Sequence, residues 1–121
     1  MKHQKKGRKF KREKSQRKAL FSTMLGSLIM QEKIKTTEAK AKELKILVDS
    51  IVNKAKLVKD EKRKLSAIRD LRKNIPLQAV KKITGDFIDR FSGRSNGYTR
   101  VVKLPLRKSD SARVAIIEFV E

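Results

Sequence analysis

The first eighteen residues carry ten Lys or Arg side chains and a single acidic one, Glu13. Such a stretch repels itself and offers little apolar surface, since Phe10 is its one large apolar side chain after Met1. We therefore predict a disordered basic arm over residues 1–14, called the N-terminal arm below. The core has to come from the rest of the chain, and we expect residues 15–121 to form a single globular α+β domain.

The charge of the whole chain limits its possible partners. Its 121 residues include 33 basic and 13 acidic side chains, which give a net charge of +20. A chain this basic requires an anionic partner, which can be nucleic acid, an anionic membrane surface or an acidic protein. There is no cysteine, which removes disulfides, thiol catalysis and the usual structural zinc sites. The apolar run ALFSTMLGSLIM (19–30) is short and interrupted by polar residues, so we expect neither a transmembrane helix nor a signal peptide.

Apolar residues at spacings of three and four predict two long helices in the first half of the chain. The first covers about 16–31 after an N-cap at Ser15, and its Gly26 can let another backbone come close. The second covers about 37–57 and begins after a threonine cap. Its apolar stripe consists of Ala41, Leu44, Leu47, Val48, Ile51, Val52 and Ala55.

Two further helices are predicted in the middle of the chain. A highly charged third helix over 60–73 ends at Asn74, and Pro76 suits the first turn of a fourth. Gly85 interrupts this fourth helix, which can therefore consist of two pieces. The predicted inner faces are Leu65, Ile68 and Leu71, with Arg72 as a further candidate, in the third helix and Leu77, Val80, Ile83, Phe87 and Phe91 in the fourth.

Three strands are predicted from short β-branched stretches. KIKTT (33–37) is one, and YTRVVKLPL (98–106) and ARVAIIEFV (112–120) form a hairpin joined by RKSDS. Pro105 lacks an amide donor, so the first hairpin strand is expected at a sheet edge. The second is apolar on both faces, which is typical of a central strand, and 33–37 can pair with its other side.

A catalytic site is difficult to assemble from this sequence. His3 is the only histidine and lies in the N-terminal arm, so no His-based pair of base and nucleophile is held in place. Asp86 and Asp89 are three residues apart, but Lys82 and Arg90 are close to them, which favours an ion-paired surface over a metal site. We predict no enzymatic activity, cofactor, metal ion or small-molecule substrate.

The N-terminal arm carries the strongest functional signal. Gly7 allows the backbone to approach phosphates, while His3 and Phe10 can stack on bases. An arm that folds only on nucleic acid resolves its self-repulsion, because phosphates supply the missing counter-charge. The alternative is a solubilising or nuclear-localisation tail.

Glu118 places a charge inside the apolar stretch IIEFV (116–120). It can face solvent, or it can be a buried carboxylate paired with Arg100 on the neighbouring strand. A hairpin loop over 107–112 places residue 118 opposite about residue 101, so Arg100 is within diagonal reach.

Six stretches spread along the chain together match the sequence pattern of one protein family. They are MKHQKKGRKFKR (1–12), QRKALF (16–21), IKTTEAKAKEL (34–44), NGYTRV (96–101), RKSDSA (107–112) and AIIEFV (115–120). In these stretches the chain resembles the family of bacterial ribosomal protein seventeen of the large subunit. It departs from the family pattern at Asn96, where glycine is usual, and at Gln16, where histidine is frequent. Asparagine still suits a left-handed backbone, and an amide can still form a hydrogen bond.

The resemblance implies an α+β fold of about four helices packed on a small mixed three-stranded sheet. It also implies a structural constituent of the bacterial large ribosomal subunit, cytoplasmic and ribosome-bound, that binds large-subunit ribosomal RNA. The implied position is near the exit of the peptide tunnel, beside large-subunit protein thirty-two. A nucleoid-type protein that binds DNA without sequence preference is the alternative.

The residues expected to contact RNA lie in two groups, the basic N-terminal region and the hairpin end. In the first group they are Lys2, His3, Lys5, Lys6, Arg8, Lys9, Phe10, Lys11, Arg12, Arg17 and Lys18. In the second group they are Arg94, Tyr98, Arg100, Arg107 and Lys108.

Overall fold

A computed structural model describes residues 13–120 of the chain. Residues 1–12 lie outside the described residues, so the disorder expected of them stays a prediction. For residues 13 and 14, the last two of the predicted arm, the expectation is wrong, because they form the N-cap and the first residue of a helix. Within 13–120 the chain forms four α-helices, one 3-10 helix and three strands. In chain order they are α1 (Lys14–Gln31), β1 (Lys33–Thr37), α2 (Glu38–Leu57), α3 (Lys64–Asn74), α4 (Leu77–Ile83), the 3-10 helix (Asp86–Phe91), β2 (Thr99–Lys103) and β3 (Val114–Phe119). The predicted α+β class is confirmed.

The three strands form a single sheet in the order β1-β3-β2. The central position of β3 and the edge position of β2 are therefore as predicted. Both pairs are antiparallel, and Glu118 of β3 lies opposite Lys33 of β1 on one side and Arg100 of β2 on the other. The sheet is thus antiparallel throughout and not mixed. The side-chain alternation of a strand is the same in both directions, so the pattern of β1 did not specify its orientation.

One face of the sheet packs against α2, which contacts both β2 and β3. Ala115, Ile117 and Phe119 are buried on this inner face of β3. The start of α2 is close to the predicted position, because the Thr37 hydroxyl accepts a hydrogen bond from the Lys40 N–H at 3.4 Å. The predicted stripe of α2 is confirmed as core, with six buried residues and one half-buried residue, Leu47.

Helix α1 begins two residues earlier than predicted, and Ser15 is not its cap. Glu13 occupies the N-cap position, and its N–H donates to the side-chain oxygen of Gln16 at 3.3 Å. The Gln16 amide thus satisfies a donor that would otherwise be orphaned at the helix start, as in a capping box. The expectation that an amide at this position can still hydrogen-bond is confirmed.

Gly26 of α1 faces the chain segment that leads into α4. A Cβ atom at position 26 would lie only 2.9 Å from both Cγ and Cδ of Pro76. The predicted close approach at Gly26 is therefore confirmed. Pro76 itself occupies the N-cap of α4, one position before the first helical turn in which we expected it.

Two exposed leucines correct the predicted inner faces of α3 and α4. In α3, Leu71 is buried as predicted and Ile68 is half-buried, but Leu65 is 69% exposed. Arg72 is exposed as well, and Ala67, which was not predicted, is buried. Leu77 is 51% exposed, whereas Val80 later in α4 is buried as predicted. Both leucines lie in the first turn of their helix, so apolar spacing alone extended each stripe one turn beyond the part that reaches the core.

The predicted interruption at Gly85 is confirmed, since the chain leaves α4 there and continues as the 3-10 helix. This change of direction places two phenylalanines against the root of the hairpin. Phe87 packs edge-on against Phe119 at a ring-centroid distance of 5.0 Å, and Phe91 packs edge-on against Tyr98 at 5.5 Å. Edge-to-face pairs of this kind stabilise by more than their buried area alone. They fix the hairpin onto the helical layer.

Candidate nucleic-acid interface

A groove with a volume of about 410 Å³ runs between α1 and α2. It lies at the end of α1 that follows the N-terminal arm, and we call it the α1–α2 groove. Among the described residues, four cations and one carboxylate line it. The cations are Lys14, Arg17, Lys18 and Lys54, and the carboxylate is Glu43. Apolar side chains line the same groove, namely Phe21, Leu25, Leu47 and Ile51.

The regular repeat of both helices explains how these side chains come together. On α1, Lys14, Lys18 and Phe21 are separated by four and three residues, so they lie on one face. On α2, Leu47 and Lys54 are seven residues apart and share a face in the same way. The sequence predicted Arg17 and Lys18 as RNA contacts, and the structure places both in this groove. Lys14 and Phe21 have the helical spacing that places them on the same face as Lys18, but they were not among the predicted contacts. Lys54 on the second helix was not predicted either.

The N-terminal arm was expected to supply most contacts. Nine of the expected contact residues lie outside the described part of the chain, and their role stays a prediction. They are Lys2, His3, Lys5, Lys6, Arg8, Lys9, Phe10, Lys11 and Arg12.

At the hairpin end, three of the expected cations are exposed: Arg100, Arg107 and Lys108. Arg107 forms a two-point contact with Asp110, in which Nε lies 2.9 Å from Oδ1 and NH2 lies 2.9 Å from Oδ2. The hydrogen bonds from the Arg107 guanidinium lower the pKa of Asp110, and the same contact raises the pKa of Arg107. Arg107 is thus held in place while it remains at the surface. Arg94 is also exposed and donates to the Gly97 carbonyl at 3.5 Å.

Arg100 forms the pair with Glu118 that the hairpin pattern suggested. The Arg100 Nε lies 2.9 Å from the Glu118 Oε1. The pair is at the surface, because the Arg100 side chain is 64% exposed and that of Glu118 is 21% exposed. Of the two possibilities for Glu118, the ion pair is present, but the carboxylate is not buried.

Tyr98 is a correction to the expected contact residues. Its side chain is completely buried and cannot stack on RNA in this structure. The phenol donates to the Asn53 side-chain oxygen at 2.5 Å and accepts from the Lys56 ammonium at 2.9 Å. Polar partners on α2 therefore allow a tyrosine that borders a polar loop to be buried. The nearby left-handed residue is Gly97, with φ of 65°, and not Asn96.

Asp89, one of the two aspartates that could have suggested a metal site, is paired with a cation. Asp89 binds Lys59, and Glu32 at the end of α1 binds both Lys82 and Arg90. The predicted ion pairing is thus found at Asp89 alone, with Lys59 as its partner, because Lys82 and Arg90 bind Glu32 and not the two aspartates. Among residues 13–120, no three His, Cys, Asp or Glu side chains are grouped so that they could hold a metal ion. The helices in that range include none that is long and apolar enough to cross a membrane.

Comparison with known proteins assigns the chain to the ribosomal proteins. A family model described as Ribosomal protein L17 matches residues 20–120. The chain belongs to the ribosomal protein L17 family, which confirms the resemblance seen in the six sequence stretches.

Several curated relatives are similar over the full length of this chain, and each is named large ribosomal subunit protein bL17. The relative from Hydrogenobaculum sp. is 42% identical over 124 residues, with 100% of both chains covered. The relative from Allorhizobium ampelinum is 41% identical over 123 residues, which cover 83% of it. The relative from Azorhizobium caulinodans is 42% identical over 121 residues, which cover 84% of it.

Proposed function

We propose that the protein is a structural constituent of the bacterial large ribosomal subunit and binds large-subunit ribosomal RNA. The observation that carries this proposal is the similarity to large-subunit proteins along the entire chain, 42% identical over 124 residues in one case. The role is structural and not catalytic, and the protein acts in the cytoplasm while bound to the ribosome.

The charge distribution supports RNA as the partner. Several acidic side chains of the described domain already bind cations, namely Glu32, Glu38, Asp60, Asp89, Asp110 and Glu118. The chain as a whole nevertheless has a net charge of +20. This surplus requires an external polyanion, and RNA phosphates supply one at high density.

Two regions of the protein bind the RNA in this proposal. The N-terminal arm threads between RNA segments and screens their mutual repulsion, since its residues are mostly cationic. The exposed cations of the hairpin end, Arg100, Arg107 and Lys108, form a second contact with phosphates. Two separate contacts on one small protein would fix its orientation on the RNA.

A neighbouring protein is part of the proposal as well. The family resemblance supports a position near the exit of the peptide tunnel, beside large-subunit protein thirty-two. Chemical cross-linking of lysines in intact large subunits, followed by mass spectrometry, tests this position. Cross-links between this chain and protein thirty-two are expected, whereas cross-links exclusively to proteins far from the tunnel exit would refute it.

The decisive experiment for the function is the composition of salt-washed ribosomal subunits. We expect mass spectrometry to find this chain in the large subunit after a high-salt wash, at about one copy per subunit. Recovery in the nucleoid fraction, together with preferential binding to duplex DNA, would instead support the DNA-binding alternative. Absence from washed large subunits would exclude the proposed role.

A further inference from the structure

We propose that the α1–α2 groove binds one unpaired RNA nucleotide, with the base against its apolar side and the phosphate on its cations. This inference rests on the proposed function and adds a particular site to it. The ligand class is a single-stranded ribonucleotide within a longer RNA. The groove is separate from the hairpin end, so it would be a third contact with RNA.

The apolar side of the groove suits a base. Phe21 is half-buried and packs against the core, so its ring is held at the surface of a well-packed support. Leu25 and Ile51 beneath the groove are each only 4% exposed. An aromatic ring held in this way can stack on a base of any identity, because every base presents a π-face. Such a site would favour unpaired bases without reading their sequence.

The cations of the groove suit a phosphate. Lys14 and Lys18 are exposed on α1, and Lys54 reaches the same groove from α2. Positive side chains on both walls can neutralise one phosphate from two directions. Glu43 is the single carboxylate among the groove residues within 13–120, and together these residues carry a net positive charge.

The size and position of the groove also suit an RNA ligand. A volume of about 410 Å³ is within the range of sites that hold a small organic molecule, and a nucleotide is of that size. The groove adjoins the start of α1, so an RNA strand bound by the N-terminal arm would continue into it.

The test compares two RNA probes and uses the full-length chain. The first probe is a ten-residue oligouridylate, and the second has the same sugar–phosphate backbone without bases. Phe21→Leu keeps an apolar side chain but removes the aromatic face. We expect this variant to lose about tenfold in affinity for oligouridylate and to bind the abasic probe unchanged. Circular dichroism melting checks that the variant is folded.

A second set of variants tests the phosphate contact and does not depend on Phe21. Lys18→Gln and Lys54→Gln should each reduce the salt slope of binding by about 0.7. Lys45→Gln is the matched control, because Lys45 is exposed on α2 but does not line the groove. Equal effects at positions 45 and 54 would show a diffuse surface charge and overturn the phosphate site.

A cross-linking experiment locates the base directly. Oligouridylate that contains 4-thiouridine should cross-link to the tryptic peptide 19–33, which includes Phe21. If the chain binds RNA but this peptide does not react and Phe21→Leu has no base-dependent effect, the groove proposal fails and the proposed function stands. If the peptide reacts only after residues 2–12 are deleted, the arm occupies the groove and the proposal is overturned. If the full chain binds no RNA, the proposed function fails as well.

Discussion

Arg100 and Glu118 lie directly opposite each other in the antiparallel pair of β2 and β3, with Arg100 Nε 2.9 Å from Glu118 Oε1. The hairpin spacing had placed residue 118 opposite about residue 101, so the observed register is shifted by one. The Arg100 side chain is 64% exposed. Water therefore screens the pair strongly, and exposed pairs of this kind contribute about 0–1 kcal/mol.

A double-mutant cycle of Arg100→Ala and Glu118→Gln should give a coupling free energy below about 1 kcal/mol. The reason is solvent exposure, which lets Glu118 regain hydration when its partner is removed. Urea unfolding at fixed salt measures the four stabilities. A coupling of several kcal/mol would contradict the structure, because it requires a buried carboxylate. In the same set, Arg100→Ala should weaken RNA binding if Arg100 contacts phosphate, as proposed for the hairpin end.

The contact of Gly26 with Pro76 makes a second prediction. Alanine is usually more favourable than glycine inside a helix by about 1 kcal/mol, so Gly26→Ala would stabilise α1 if space were available. Here the added methyl group would lie 2.9 Å from two ring atoms of Pro76. We expect a net destabilisation of about 1–3 kcal/mol, measured by urea unfolding, because a proline ring cannot rotate away.

Two further variants isolate the steric cause at Gly26. Pro76→Ala should recover part of the loss in the double variant, since the two ring atoms are then absent. Gly93→Ala is the matched control, because a Cβ atom at position 93 meets nothing within 4 Å. A stabilising Gly26→Ala would show that α1 and the start of α4 are further apart than described.

Glu32 predicts how stability depends on pH. The Glu32 carboxylate lies 3.1 Å from the Lys82 ammonium and also binds Arg90. These hydrogen bonds, of which the one from Lys82 has the larger effect, lower the pKa of Glu32 below the ordinary value of 4.5. The folded state therefore binds this proton less readily than the unfolded state. The resulting stabilisation is present above pH 4.5 and is lost as pH falls through the lowered pKa of the folded state.

Glu32→Gln should therefore reduce stability near neutral pH and flatten the loss of stability below pH 4.5. Because the Glu32 side chain is 35% exposed, screening limits the effect to about 1 kcal/mol or less. Thermal melts between pH 3 and pH 7 measure it, and Glu61→Gln in the exposed turn before α3 serves as control. An unchanged pH profile for Glu32→Gln would mean that the two ion pairs do not form in solution.

Much of the fold follows from apolar spacing, because spacing decides which face of a helix or strand can be buried. The stripe of α2, the two apolar faces of β3 and the interruption at Gly85 were all predictable in this way. The same rule failed at Leu65 and Leu77, which continue an apolar spacing but lie beyond the reach of the core. The last buried residue of an apolar stripe depends on which other helix or strand packs against it. That neighbour can be distant in the sequence, so local spacing does not reveal it.

The candidate contact residues show a similar limit. Arg17 and Lys18 could be identified from charge alone, but the groove that contains them requires Lys54 from another helix. Tyr98 was expected to contact RNA as part of the hairpin end. Its burial depends on Asn53 and Lys56, about forty residues earlier, which satisfy the phenol. Hydrogen bonds between distant residues decide whether a polar side chain is buried, and single-sequence patterns do not report them.

The N-terminal arm should dominate the salt dependence of RNA binding. Seven Lys or Arg side chains lie in residues 2–12. If each neutralises one phosphate, deletion of 2–12 should make the slope of log K against log salt shallower by about 5. This deletion keeps Glu13, so the cap of α1 is retained and the domain should remain folded. An unchanged slope would assign the electrostatic contact to the domain surface.

The same segment should gain order when RNA binds. Its high charge and low apolar content predict disorder in the free protein, as phosphates are needed to offset the repulsion. Amide NMR of the isolated chain should show fast hydrogen exchange in residues 2–12 and slow exchange after single-stranded RNA is added. Slow exchange in this segment without RNA would contradict the prediction.

Tyr98 should behave as a structural residue and not as an RNA contact. Tyr98→Phe removes the hydroxyl that binds Asn53 and Lys56 but keeps the ring that packs against Phe91. The two polar partners would lose a part-buried hydrogen bond, so we expect a destabilisation of about 1–2 kcal/mol in urea unfolding. RNA affinity, measured below the unfolding transition, should stay unchanged. Lys108→Gln is a control with the opposite expectation. Because Lys108 is an exposed cation of the hairpin end, its loss should lower RNA affinity and leave the free energy of unfolding unchanged. A loss of RNA affinity in Tyr98→Phe at unchanged stability would show that the phenol reaches the RNA after all, and that the loop before β2 opens when RNA binds.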